Sequence, residues 1–240
     1  MRVAVVSDIH ANLAALDAVL DALAPYDEVW QLGDIVGYGP QPDEVVARLR
    51  EIGATGVRGN HDAAAIGALS TEAFNDDARA AIEWTADHIT DETRAWLTGL
   101  ETVVTAGEFT LVHGSPRDPV WEYMVSGSVA RSNLSHFETP WCLVGHTHIA
   151  VAFRQAGSRV EAISPSERGP LKLDERRAII NPGSVGQPRD GDPRAGGMLL
   201  DTELNTVEWH RVGYPVEVVQ GLMEERGLPA RLIERLAFGW

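Results

Sequence analysis

The sequence predicts an α/β fold, and three observations carry that prediction. Short β-branched runs alternate with segments of helical period through the first hundred residues. Gly- and His-rich motifs follow most of the strand-like runs, where an open α/β sheet gathers its ligands. A chain of 240 residues with 44% hydrophobic content can bury a sizeable core.

Arg2 to Ser7 is a short run suited to a buried strand. Asn12 can cap a helix whose apolar face is Leu13, Leu16, Leu20 and Leu23, stopped by Pro25. A second strand spans about residues 28–32. Pro42 suits the first turn of a helix carrying Val45, Val46, Leu49 and Ile52 to Gly53. A third strand leads into Val57 and Arg58. This rhythm implies right-handed crossovers and a largely parallel sheet. Residues 62–100 are helical in pattern, with Phe74, Trp84 and Trp96 read either as core residues or as a cap over the site. Strands are predicted over about 102–106, 108–113 and 141–145, and a helix over about 127–137. The segment 148–212, short strands between Gly, Pro and Asp turns, predicts a second, more antiparallel sheet, and a helical ending follows from Pro215. No repeat or linker interrupts the chain, so residues 1–240 are expected to form one domain.

Charge and cysteine content narrow the function. The net charge of −15 disfavours nucleic-acid polymers, which are held by Lys and Arg. Small phosphate esters remain open, because bound metal ions would bring their own positive charge. One cysteine, Cys142, suits a reducing compartment and reads as a buried strand residue. The N-terminus lacks the features of a signal peptide, and no apolar stretch is long enough for a membrane helix. The expectation is a cytoplasmic protein without a membrane partner, its oligomeric state open.

Five motifs stand out: Asp8-Ile9-His10, Gly33-Asp34, Gly59-Asn60-His61-Asp62, Val112-His113-Gly114 and Gly145-His146-Thr147-His148. They hold five of the eight histidines, leaving His88, His136 and His210 outside. One histidine is weak evidence of a metal site; five in such motifs are strong evidence. Their order and spelling resemble the calcineurin-like metallophosphoesterase superfamily, in its small bacterial phosphodiesterase type. The stretch from Asn181 to Arg189 resembles the later part of such proteins, so the likeness covers nearly the whole chain.

The resemblance implies a four-layer αββα sandwich, two packed mixed sheets flanked by helices. It also implies two divalent transition-metal ions, manganese first, with iron, zinc, nickel or cobalt as alternatives. Asp8, His10 and His148 would bind one ion, Asn60, His113 and His146 the other, and Asp34 would bridge them. Two carboxylates against two divalent ions leave a charge of about +2, or about +1 with a bridging hydroxide, suited to a phosphodiester anion. His61 is the implied catalytic residue, protonating the leaving oxygen or stabilising phosphoryl charge. Asp62 is expected to orient its loop through hydrogen bonds.

One departure bears on substrate. Serine/threonine phosphatases of the superfamily carry Gly-Asp-x-x-Asp-Arg-Gly, whereas this chain has Gly37 and Tyr38 in place of the second Asp and the Arg. A protein phosphatase is therefore disfavoured, and what orients His61 is left open. Tyr38, Arg117 and Arg189 are candidate substrate contacts or solvated turn residues. The expected activity is hydrolysis of a small phosphodiester or nucleotide by a metal-bridging hydroxide. The alternatives are a protein-binding scaffold on the same fold and a nuclease.

Overall fold

The computed structural model describes residues 1–165 and 169–240. Its elements run β1 (Arg2–Val6), α1 (Leu13–Leu23), β2 (Glu28–Gln31), α2 (Pro42–Glu51), β3 (Thr55–Gly56) and α3 (Asn60–Ala65). A 3-10 turn (Thr71–Ala73) precedes α4 (Asp76–His88), α5 (Asp91–Gly99), β4 (Val103–Ala106), β5 (Phe109–Val112), α6 (Gly127–Asn133) and β6 (Trp141–Leu143). The remainder comprises β7 (Val151–Ala156), β8 (Arg159–Ile163), β9 (Leu171–Lys172), β10 (Ala178–Asn181), β11 (Ala195–Asp201), β12 (Thr206–Val212), α7 (Val216–Glu225) and α8 (Ala230–Arg235).

Among the described residues the strands form two six-stranded mixed sheets. One has the order β3-β2-β1-β11-β12-β9, the other β4-β5-β6-β10-β7-β8. β1, β2 and β3 run parallel in the first, and β5, β6 and β10 in the second. Each sheet thus brings three parallel strand ends to one edge; the five motifs follow five of these ends, and the sixth, that of β10, leads into the Asn181–Arg189 stretch.

Alternation along each strand builds the layers. In β1, Val3 and Val5 face the second sheet and meet Leu111, Leu143 and Ile180, while Ala4 and Val6 face outward to Leu16, Val45 and Leu49 of α1 and α2. On the far side Val112, Cys142, Val144 and Ile179 pack against Ala130 and Phe137, in and just beyond α6. The expected αββα layering is therefore observed. A fourth apolar cluster joins α4 to α7 and α8, where Ala78, Ala81 and Ile82 meet Val219, Met223 and Leu232.

Local chemistry sets the helix boundaries. Asn12 Oδ1 accepts from Ala15 N at 3.1 Å, and Pro42 opens α2, both as the sequence predicts. The helical stretch expected over 62–100 is several pieces, because Ser70, Asn75 and Thr90 each cap a new start. The helix expected over 127–137 ends at Asn133. Cys142 lies within buried β6, where burial pushes its thiol pKa up.

One expectation is corrected. Segment 148–212, of which 166–168 lie outside the described residues, does not form a sheet of its own. β7, β8 and β10 join β5 and β6, while β9, β11 and β12 complete the sheet of β1. Alternation reports which face of a strand is buried, not which strand it pairs with. Among the described residues no helix is long and apolar enough to cross a membrane.

Leu143 lies fully buried between the sheets. Leu143→Ala is expected to lower the unfolding free energy by about 2–5 kcal/mol, read from denaturant titration. A change within ~0.5 kcal/mol would contradict the packing described.

Candidate functional site

The five motifs converge. Asp8 and His10 follow β1, Asp34 follows β2, Asn60 opens α3 after β3, His113 follows β5, and His146 and His148 follow β6. All seven side chains are buried, the most exposed by 2%. Potential ligand atoms fall into two groups sharing one carboxylate: Asp8, His10, Asp34 and His148, and Asp34, His113 and His146. Within each group the atoms lie within 4.8 Å of one another.

Reaching this arrangement requires uncommon backbone geometry. Asp8, His10, Asp34, His146 and His148 all have positive φ, between 49° and 66°, as does Tyr38 at 60°. Each costs about 1–2 kcal/mol for a residue with a Cβ, although Asp, Asn and His tolerate the region best. Hydrogen bonds hold the turns in place. Asp8 N and His10 N donate to Gly33 O and Asp34 O at 3.1 and 2.9 Å, and Gly186 N and Ser184 Oγ donate to Asp8 O at 3.0 and 2.9 Å. The Asn181–Arg189 stretch is thereby drawn into the site. Asp62 accepts from Ile35 N and Val36 N at 2.8 and 3.0 Å, and from Gly59 N at 2.9 Å, as its expected loop-orienting part requires.

The tautomers of the four converging histidines follow from their outer partners. A carbonyl can only accept, so the ring nitrogen facing one carries the proton. His10 Nδ1 donates to Val36 O (3.2 Å), His113 Nδ1 to Leu32 O (2.7 Å), His148 Nδ1 to Gln187 O (2.5 Å) and His146 Nε2 to Trp121 O (3.1 Å). In the neutral ring the inner nitrogen of each is then a bare lone pair. Those lone pairs face one another: His10 Nε2 lies 3.2 Å from His148 Nε2, and His113 Nε2 lies 3.1 Å from His146 Nδ1. The carboxylates add to the crowd, with His148 Nε2 and His113 Nε2 each 3.3 Å from an Asp8 or Asp34 oxygen.

Lone pairs packed this closely need protons or cations between them. The separations suit a cation: ligands at ~2.1 Å from one ion and 3.2 Å apart subtend roughly 100°. Asn60 adds to this, since its amide end facing the cluster lies 3.1 Å from His113 Nε2, 3.2 Å from His146 Nδ1, and 3.2 and 3.3 Å from the Asp34 oxygens. With nitrogen inward it donates to them; with oxygen inward it joins a ligand set. Hard oxygen and imidazole nitrogen donors together suit a first-row transition metal.

Electrostatics agree. Burial holds His10 and His148 well below the usual histidine range, and lowers His146 to about 3. Burial likewise pushes Asp8 up to about 7. Asp34, which burial alone would raise, is held well below the carboxylate range by His113 and His61. His113, which burial alone would lower, is raised to about 9 by the Asp34 charge. The proton that Asp34 attracts to His113 is one a cation would displace.

His61 stands apart. It lies 4% exposed on the cavity wall, and its Nδ1 has no hydrogen-bond partner among the described residues. Its ring packs among Tyr38, His10 and Phe74, with centroids 4.3, 4.8 and 5.2 Å away. A Cβ on Gly37 would lie 2.5 Å from Nδ1. Where serine/threonine phosphatases carry an Asp, this chain has only that glycine, and an aromatic enclosure orients the histidine instead. Burial lowers its pKa to about 4.

A cavity of about 240 Å³ opens over these groups, and Tyr38, Phe74, Trp121, Tyr123, Arg189 and Arg235 contribute to its wall. Tyr38 and Arg189 thus line this cavity. Arg117 does not line it: its guanidinium is bound to Glu122, which also accepts from Ser115 Oγ at 2.7 Å and Asn133 Nδ2 at 2.8 Å. Arg117 therefore buttresses the loop after His113. Sequence reading missed Trp121, Tyr123 and Arg235. Tyr123 stacks on His146 with centroids 3.8 Å apart. The aromatics of that loop were a usable signal, whereas Arg235, in a last helical turn, looks like any residue favoured there by the helix dipole.

Comparison with known proteins agrees with this geometry. Residues 1–205 match the family model described as the calcineurin-like phosphoesterase superfamily domain. The chain belongs to that superfamily. It is 34% identical over 245 residues to the uncharacterized protein MJ0912 of Methanocaldococcus jannaschii, covering 99% of this chain and 98% of that one. A metallophosphoesterase from Sphaerobacter thermophilus is 44% identical, with a TM-score of 0.92 over 100% of this chain and 99% of that one. The hypothetical protein PH1004 of Pyrococcus horikoshii, 22% identical, shares the fold with a TM-score of 0.78 over 100% and 98% of the two chains. Membership makes the protein a phosphoesterase-type hydrolase in which buried His and Asp groups could hold metal ions.

Close approach of the motif loops generates a test. A Cβ on Gly59 would lie 2.1 Å from Asp34 Oδ1 and 2.4 Å from Asp34 N, whereas one on Gly221 in α7 meets nothing within 4 Å. Gly59→Ala is expected to lose bound metal, measured by elemental analysis of the purified protein. Gly221→Ala should keep it and gain up to about 1 kcal/mol. Full metal content in folded Gly59→Ala would refute the assigned contact.

Proposed function

We propose that this protein is a metal-dependent phosphodiesterase acting on small phosphodiesters or nucleotides. Asp8, His10 and His148 would hold one transition-metal ion, manganese first among the candidates, Asn60, His113 and His146 would hold a second, and Asp34 is available to both. The observation that carries this reading is the set of four inward ring nitrogens, each fixed by an outer N–H bonded to a backbone carbonyl.

When bound, such a metal pair supplies Lewis-acid contacts to phosphate oxygens and lowers the pKa of a bound water. The chain supplies the rest. Asp34 keeps its charge and takes a hydrogen bond from His61 N at 2.9 Å, which ties the His61 loop to the centre of the site. His61, neutral through burial, still has one ring N–H to give. Donation to a phosphoryl or leaving oxygen suits this ring better than acting as a stored acid. The cavity wall of Phe74, Trp121 and Tyr123 limits water around the reacting group and favours a small substrate. A diester's single charge would suit this site, because two divalent ions there would outweigh the charge of its two carboxylates.

The test begins by stripping the protein with chelator and adding back Mn, Ni, Co, Zn and Mg one at a time. Hydrolysis of bis-p-nitrophenyl phosphate is expected to return with a transition metal and to exceed that of p-nitrophenyl phosphate. His61→Ala should lower kcat by about 10²–10⁴-fold with metal content unchanged. Folded wild-type protein that binds no ion would overturn the reading, and full activity in His61→Ala would remove that residue's role.

A further inference from the structure

Arginines in this acidic chain are mostly spoken for. Arg48, Arg117, Arg154 and Arg211 are among those within 4.0 Å of a carboxylate, and Arg58, Arg94 and Arg177 donate to backbone carbonyls. Arg189 and Arg235 differ. Among the described residues Arg189 meets only neutral acceptors, Gln187 Oε1 at 2.8 Å and Tyr38 Oη at 3.4 Å, and its buried Nε has no partner. Arg235 donates from Nε to Trp240 O. Among the described residues neither has an Asp or Glu side chain within 4.0 Å, and both line the cavity that holds Asp34, His61, His146 and His148.

Their placement extends the site outward. Arg235 also lines a neighbouring cavity of about 510 Å³, together with Tyr38, Asn75, Asp76, Asp77, Arg231 and Trp240. That cavity contains none of the converging His and Asp groups, so Arg235 stands at the junction of the two. Asp77 is paired with Arg231 at 3.8 Å and Asp76 with Arg79 at 3.6 Å, so neither of these carboxylates is bound to Arg189 or Arg235. Burial and the Arg189 charge both depress Arg235. Two like charges held together at a cavity wall are costly, and an anion relieves that cost.

We propose that Arg189 and Arg235 form an anion subsite that binds a second phosphoryl group of the substrate. The inference rests on the phosphoesterase reading, in which the first phosphoryl group sits at the metal centre. Guanidinium groups match phosphate oxygens through charge-assisted, often paired, N–H bonds. Two such charges beyond a centre of about +1 suit a ligand more negative than a simple diester. The substrate class is therefore a phosphoester or phosphoanhydride bearing a neighbouring phosphate. Tyr38, whose hydroxyl meets Arg189 and whose ring packs on His61, joins the subsite to the reacting group.

Calorimetry on metal-loaded protein tests this with methylenediphosphonate and methylphosphonate as probes. Wild-type protein is expected to bind the diphosphonate at least tenfold more tightly. Arg235→Gln and Arg189→Gln should each shrink that ratio about tenfold, and Arg235→Lys should retain part of it. Chelation of free metal by the probe acts equally on every protein and cancels between them. Thermal unfolding confirms that each variant is folded, and the lysine variant carries the test if a glutamine variant is not. A wild-type ratio near one, or a ratio unchanged in the folded variants, overturns the subsite. Diester hydrolysis by wild type with a flat ratio removes the subsite alone; a retained ratio without any hydrolysis removes the phosphodiesterase reading alone.

Discussion

The crowding of lone pairs in one buried cavity is the constraint on which the rest of this structure depends. Imidazole nitrogens of His10, His148, His113 and His146 approach in pairs at 3.1–3.2 Å, with the Asp8 and Asp34 carboxylates beside them. Water cannot screen groups this deep, so their mutual repulsion must be met by protons or by cations. Every surrounding feature serves to hold that arrangement. Backbone carbonyls fix the four tautomers, Ser7 Oγ and His146 N donate to Asp8, and His61 N donates to Asp34.

Holding it carries a conformational cost. Five of the converging residues sit in left-handed turns, a total on the order of 5–10 kcal/mol, comparable to the whole stability of an ordinary domain. Such strain persists only where the scaffold over-determines it. Two sheets packed face to face provide that rigidity, and each delivers three parallel strand ends to the same edge. Ligands that bind the folded site alone would return part of the cost as stability. The same geometry explains why the motif glycines are glycines: Gly59 backs onto Asp34 and Gly145 onto Ser7, with no room for a side chain.

Around this centre the chain builds a mixed wall. The turn before α4 contributes Phe74, the loop after His113 contributes Trp121 and Tyr123, and α8 contributes Arg235. Packing of α4 against α7 and α8 joins the middle of the chain to its last helix, so the outer part of the site depends on contacts between segments about 150 residues apart. Arg117 illustrates the division of labour, because its charge is spent on Glu122 and the loop it stiffens carries Trp121.

Much of this was legible in the residues themselves. Strand and helix periods, the Asn12 cap and Pro42 reflect local sterics and hydrogen bonding, which operate within a few residues. The motifs were legible too, because His, Asp and Asn flanked by glycine after strands combine ligand chemistry with tolerance of left-handed turns. Partner choice was not. β10 lies beside β6 and β11 beside β1 through contacts distant in sequence, and alternation looks the same whichever sheet a strand joins. The orientation of His61 by Tyr38 and Phe74, and the approach of Arg235, also needed the folded chain, since a side chain's partners across a cavity leave no local signature. Residue order alone sets the donor atoms and the turns able to present them; which atoms meet follows from the folded chain, because that depends on where six strand ends come to rest.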